Sequence, residues 1–168
     1  DRWVVGHMLD WLRDSPGAST AGGGICIKLS GYSLNDESLL EFIYDKLSEK
    51  DAPIERLWFE ITEAAAINNL QSVAEFIEEM KELSCRFCLG HFGSGPTSYQ
   101  YLRSLPVDLI KIDGTFVKQM TSSETDYAIV RSMVDMAHYM GKEVIASQVE
   151  TRETLEALRM LGVDYAQG

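Results

Sequence analysis

Six short apolar runs, each followed by a stretch with helical periodicity, restrict this chain of 168 residues to a few folds. The runs lie at 25–29, 57–61, 86–89, 109–112, 143–146 and 163–166. They are apolar almost throughout rather than alternating, which is how strands read when helices cover a parallel sheet on the outside. Between them the period changes to that of a helix. Trp3/Val4, His7/Met8 and Trp11/Leu12 recur every four residues and predict an inward face, ended by Asp14, Ser15, Pro16 and Gly17, with a small-residue linker at 18–24. Asn35, with Asp36 and Glu37, is expected to cap a helix bearing Leu39/Leu40, Ile43 and Leu47. Val73, Phe76/Ile77, Met80 and Leu83 mark the next helix, and a short one is expected from Pro96. A long helix near 124–140 should bury Ile129, Val130, Met133, Val134 and Ala137 and stop at Gly141. Thr151 should cap the last helix, with Leu155, Leu158 and Leu161 inward.

Two architectures accommodate such strand–helix units, a doubly wound open sheet and a (β/α) barrel. No G-x-G-x-x-G follows the first run, and polar residues gather where each run ends. In order they are Lys28, Glu60, Gly90 with His91, Lys111 with Asp113, Ser147 with Glu150, and Gln167. A barrel places its site on that face from many strands, whereas an open sheet concentrates it at one switch point. The predicted fold is therefore α/β, a TIM-like (β/α) barrel.

Charge narrows the partners. A formal net charge of −11 repels polyanions, so no nucleic acid polymer is expected, and a phosphorylated ligand would need a local cationic pocket. No apolar run is long enough for a membrane span, and residues 1–3 do not read as a signal peptide, so no direct membrane insertion by this segment is expected. Cys26, Cys85 and Cys88 sit in apolar runs and read as reduced, buried thiols of a cytoplasmic protein, an expectation that leaves room for a membrane anchor elsewhere in the parent chain. The C-x-x-C of Cys85 and Cys88 has no companion pair or histidine cluster that would suggest zinc. His7 and His138, on helices among apolar neighbours, read as structural, and Met133, Met136 and Met140 as core packing.

The serial blocks of the chain resemble those of EAL domains, the cyclic di-GMP phosphodiesterase family. They are Asp1-Arg2-Trp3-Val4, Leu29-Ser30 with Ser33-Leu34, Glu60-Ile61-Thr62-Glu63, Phe92-Gly93-Ser94-Gly95, Leu105-Pro106-Val107-Asp108, Lys111-Ile112-Asp113, Phe116-Val117, Val149-Glu150-Thr151 and Gln167-Gly168. The resemblance covers 1–168 as one EAL-like domain, incomplete at both ends: the E-A-L strand is expected upstream and the closing elements downstream. It implies hydrolysis of cyclic di-GMP by water activated between two Mg²⁺ or Mn²⁺ ions, which several carboxylates must hold about 3.5–4 Å apart.

By that resemblance Glu60 keeps a metal-ligand position and Lys111 the lysine that steadies water and phosphate. The remaining positions depart from the family pattern. Lys28 replaces an asparagine of N-L-S, Gly90 and His91 replace the aspartates of D-D-F-G, and Ser147 replaces the first glutamate of A-E-G-V-E, which reads Ala146-Ser147-Gln148-Val149-Glu150. Catalysis should therefore fail and no cofactor is expected in this copy, although Glu60 with His91 could form a single site suited to Zn²⁺ rather than Mg²⁺. Lys28 and Glu60 are expected either to form a buried ion pair or, with Lys111, to leave a cationic spot for phosphate. Ligand binding is expected of Lys28, Lys111, Glu150 and Gln167. Glu150 is implied to anchor the loop after the D-D-F-G strand, while Glu63 and Asp113 are expected to order turns.

The expected function is that of a degenerate EAL domain in bacterial signal transduction, acting as a cyclic di-GMP receptor or regulatory module. The rivals are a protein-interaction scaffold and a weakly active metal-dependent phosphodiesterase. The implied partners are cyclic di-GMP, a GGDEF or sensor domain of the same protein, and a second copy in a homodimer.

Overall fold

The computed structural model describes residues 1–14, 24–48, 56–66, 69–95 and 98–168. Helix α1 (Arg2–Asp14) precedes strand β1 (Ile25–Lys28) and helix α2 (Glu37–Ser48); β2 (Leu57–Thr62) leads into α3 (Glu63–Ala66) and α4 (Leu70–Glu82). Then follow β3 (Arg86–Phe92), α5 (Ser98–Ser104), β4 (Leu109–Ile112), α6 (Gly114–Gln119), α7 (Glu124–Tyr139), β5 (Glu143–Ser147), α8 (Arg152–Met160) and β6 (Tyr165–Gln167). The strands form one sheet in chain order, and every neighbouring pair is parallel. An unreversed order removes the switch point of a doubly wound sheet.

The sheet is also curled. In a flat sheet β2 and β6 would stand about 19 Å apart, four strand spacings. Yet the rings of Trp58 on β2 and Tyr165 on β6 meet edge-on with centroids 5.1 Å apart. The concave face is filled by Trp58, Cys88, Leu109, Ile145 and Tyr165, and the convex face carries the larger core against the helices. Six parallel strands thus make a curled half-barrel, as the continuous apolar runs predict. Aromatic contacts join sheet to helix. Phe87 lies 5.5 Å from Phe59 and 6.1 Å from Phe76 of α4, and such pairs contribute about 1 kcal/mol each beyond burial.

Side-chain caps fix where the helices begin. Asp36 accepts from the Ser38 N–H ahead of α2 at 3.1 Å, and Thr151 accepts from the Thr154 N–H at 3.1 Å. Gly141, at φ +71°, ends α7 as expected.

Several expectations need correction. Helix α1 buries Val5, Leu9 and Leu12, so Trp3, Val4 and Trp11 lie exposed and His7 stacks on Trp3 at 5.1 Å. The inward stripe is offset by one residue at Val5 and Leu9, while Leu12 is inward as expected. His138 is exposed as well, and its Nε2 lies 2.9 Å from Asp164 Oδ2. Met133 is buried, but Met140 reaches the surface. Cys26 is exposed on the concave side, while Cys85 and Cys88 are buried. Residues 15–23, Pro96 and the side chains of Asn35 and Leu47 lie outside the described residues. Among the described residues no helix is long and apolar enough to cross a membrane.

Candidate functional site

Strand alternation sends Glu60 of β2 and Lys111 of β4, two strands apart, to the concave side in the C-terminal half of each strand. Lys111 Nζ donates to Glu60 Oε2 at 2.6 Å, with the two side chains 14% and 8% exposed. Burial opposes the charge on Lys111, but the Glu60 hydrogen bond and charge outweigh it and hold the ammonium above its usual range. The ion pair expected of Lys28 is thus made by Lys111. Lys28 is the register neighbour of Glu60, yet it lies exposed and forms no ion pair with any described residue.

Gly90 explains the position of the glutamate. A Cβ at this residue would fall 2.8 Å from both Cγ and Cδ of Glu60, so the glutamate side chain occupies space that any larger residue would need. Next to Gly90 the β3–β4 register shifts between Leu89 and Phe92, a bulge-like irregularity that re-aims a side chain. His91, at φ +56°, faces the strand ends there, with Nδ1 2.9 Å from Asp113 Oδ2. Asp113 also caps α6, accepting on Oδ1 from the Thr115 N–H at 2.9 Å and its hydroxyl at 2.8 Å. Its carboxyl is desolvated, which would raise its pKa, but the Thr115 and His91 hydrogen bonds prevail and hold it below the usual range.

These side chains line a cleft of about 360 Å³ with Gly114, Ser147, Gln148, Glu150 and Gln167. Ser147 spends its hydroxyl on the Ile112 carbonyl at 2.7 Å. Glu150 pairs with Lys118 of α6 at 2.9 Å. Glu63 is buried at the start of α3, and neither of its carboxylate oxygens has a hydrogen-bond partner among the described residues. Most strand-end residues therefore converge as expected. Lys28 stands outside the lining, and Gly90 enters only as the floor beneath Glu60.

Two contributors escape a reading of strand ends. Gln148 holds φ +59° and lays its side chain over Gly114, where a Cβ would fall 2.6 Å from its Cγ. Its signal was the missing glycine of the A-E-G-V-E block. Cys26 is the other. Its thiol reaches Glu60 Oε2 at 3.9 Å, and crowding by the sheet followed by the Glu60 charge pushes it up to about 11.

Two hard divalent ions need several oxygen ligands between them. Around Glu60 the neighbours are an ammonium and a thiol that resists ionisation, a donor set that does not fit such a pair. Among the described residues no three His, Cys, Asp or Glu side chains are grouped to hold a metal ion, and His91 turns Nδ1 to Asp113 instead of joining Glu60.

Comparison with known proteins bears on the fold and the family. The chain is 44% identical over 144 residues to cyclic di-GMP phosphodiesterase PdeB of Shewanella oneidensis, which covers 86% of this chain and 17% of that protein. It is 32% identical over 168 residues to cyclic di-GMP phosphodiesterase PdeF of Escherichia coli, covering 100% of this chain and 22% of the relative. The chain thus spans about a fifth of the length of these relatives. The FimX EAL domain of Pseudomonas aeruginosa bound to c-di-GMP superposes with a TM-score of 0.90 at 28% identity, over 100% of this chain and 66% of that one. Since the EAL domain family model also matches residues 1–168, the chain belongs to the EAL domain family.

Proposed function

We propose that this EAL domain serves a larger signalling protein as a cyclic di-GMP receptor or regulatory module and does not hydrolyse the nucleotide by the two-metal route. The observation that carries this reading is the Glu60 carboxylate. It is paired with Lys111 and lies over Gly90, where the family has an aspartate. An ammonium 2.6 Å from the remaining carboxylate competes with any divalent ion for it. Binding at the strand ends is supported by the cleft there and by the similarity to the FimX EAL domain solved bound to c-di-GMP. Within it Lys111, Glu150 and Gln167 are the proposed ligand contacts, with Lys28 approaching from the rim. The 1–168 segment is then one part of an EAL domain, completed by other strands of the same protein.

A protein-interaction scaffold is the second reading, favoured by the neutralised Lys111, which leaves less positive charge for phosphate. Titration calorimetry of the intact protein with cyclic di-GMP, with and without chelator, separates the two. The receptor binds equally well in both. Chromatography after incubation with Mg²⁺ or Mn²⁺ should show no linear dinucleotide, and its metal-dependent appearance would overturn the proposal. Absence of binding leaves the scaffold.

A further inference from the structure

We infer that Gln148 is a ligand contact peculiar to this chain, its amide N–H₂ donating to a phosphodiester oxygen of the nucleotide held in the cleft. The inference rests on the receptor reading above and begins with backbone conformation. Three described residues other than glycine hold a positive φ: Ser84, His91 and Gln148. Ser84 lies in the turn that ends α4, where left-handed backbone is ordinary. The other two line the cleft. A left-handed residue with a side chain is strained relative to glycine, and such strain persists where the surroundings hold it, often at binding sites. At 148 the A-E-G-V-E block has glycine, so this chain carries a side chain where the strain-free residue was available.

That side chain also has a prepared seat. It rests over Gly114, the first residue of α6, where any Cβ would collide with it. Its amide is exposed in the cleft and has no hydrogen-bond partner among the described residues.

Charge then assigns the role. Glu60, Asp113 and Glu150 line the cleft; Lys111 is paired with Glu60 and Lys118 with Glu150, and Lys28, which pairs with no described residue, stands outside the lining. The Ser147 hydroxyl is committed to Ile112. An anionic diester entering beside these carboxylates needs uncommitted donors, and the Gln148 amide supplies two N–H bonds without charge.

The test uses the intact protein, cyclic di-GMP as the probe and excess chelator. Gln148→Ala should weaken binding about tenfold, the worth of one such hydrogen bond. Gln148→Glu, similar in shape but anionic and without the donor, should weaken it further. Gln148→Gly should melt at a higher temperature than the wild type and still bind more weakly, a split that a purely structural role would not give. Wild-type binding that survives Gln148→Ala unchanged overturns the inference and leaves the receptor reading intact. So does retention of affinity in Gln148→Glu, which would mean the amide oxygen accepts from a base edge. If the wild type binds nothing with chelator or with Mg²⁺, the receptor reading falls and this inference falls with it.

Discussion

At the N-terminal end of the sheet Arg86 of β3 pairs with Glu143 of β5, and at the C-terminal end Lys111 of β4 pairs with Glu60 of β2. Both pairs bridge strands two apart across the concave face, yet their surroundings differ. The Arg86 guanidinium lies over the Trp58 ring at 4.9 Å, and Tyr165 meets the same ring edge-on. That end joins cation, carboxylate and aromatic rings in one packed layer and is built for cohesion. At the other end the Gln148 amide stays uncommitted above a cleft, beside an imidazole bonded through one nitrogen. A (β/α) barrel keeps its chemistry at strand C-termini and its stability at the opposite face, and this half-barrel shows the same division.

Substitutions at each end sharpen that contrast. Trp58→Ala should have the largest effect, about 4 kcal/mol of stability in urea unfolding of the intact protein, with little change in how the cleft binds nucleotide. Next comes Lys111→Met, which strands the buried Glu60 carboxylate at a cost of about 3 kcal/mol; adding Glu60→Leu should recover most of it. The Lys111 contribution has a definite pH dependence. Because its pKa in the folded protein lies above the ordinary 10.5, the stabilisation is fully present below that value and is lost as pH rises through the raised pKa. Unfolding curves between pH 7 and 9 should therefore not differ on its account.

Gly90→Ala should cost about 2 kcal/mol, since the added methyl meets a glutamate held in place by Lys111. In a Glu60→Ala background the penalty should vanish, and a penalty that persists would mean the glycine answers to something other than Glu60. The smallest effect has the opposite sign. Gln148→Gly should stabilise by about 1 kcal/mol in a thermal melt by relieving left-handed backbone. Left-handed backbone at the packed end is confined to the helix-ending turn at Ser84, whereas at the binding end it falls on His91 and Gln148, which line the cleft.

The strand-end residues were readable because the run boundaries fix where each strand ends, and a parallel sheet brings those ends together. Glu60, His91, Lys111, Ser147, Glu150 and Gln167 were found in this way, and they do meet in one cleft. The pairings among them were not readable. Lys28 is nearest to Glu60 in register, but Lys111 takes the carboxylate across an intervening strand because the sheet curls. Periodicity likewise located α1 and the burial of Leu12 but not the rest of its inward face, since a four-residue repeat carrying Trp3, His7 and Trp11 outweighed the smaller Val5 and Leu9.

Composition and pattern alone thus determined six parallel strands, their order of polar ends and membership of a barrel-like fold, because hydrophobic period and turn chemistry are local properties. Tertiary structure decided which side chains touch. Whether Lys28 or Lys111 holds Glu60, whether Gly90 is a gap or an occupied floor, and whether Gln148 points into the cleft depend on the curvature of the sheet and on space vacated by glycines. Those quantities exist only once distant strands are packed against one another.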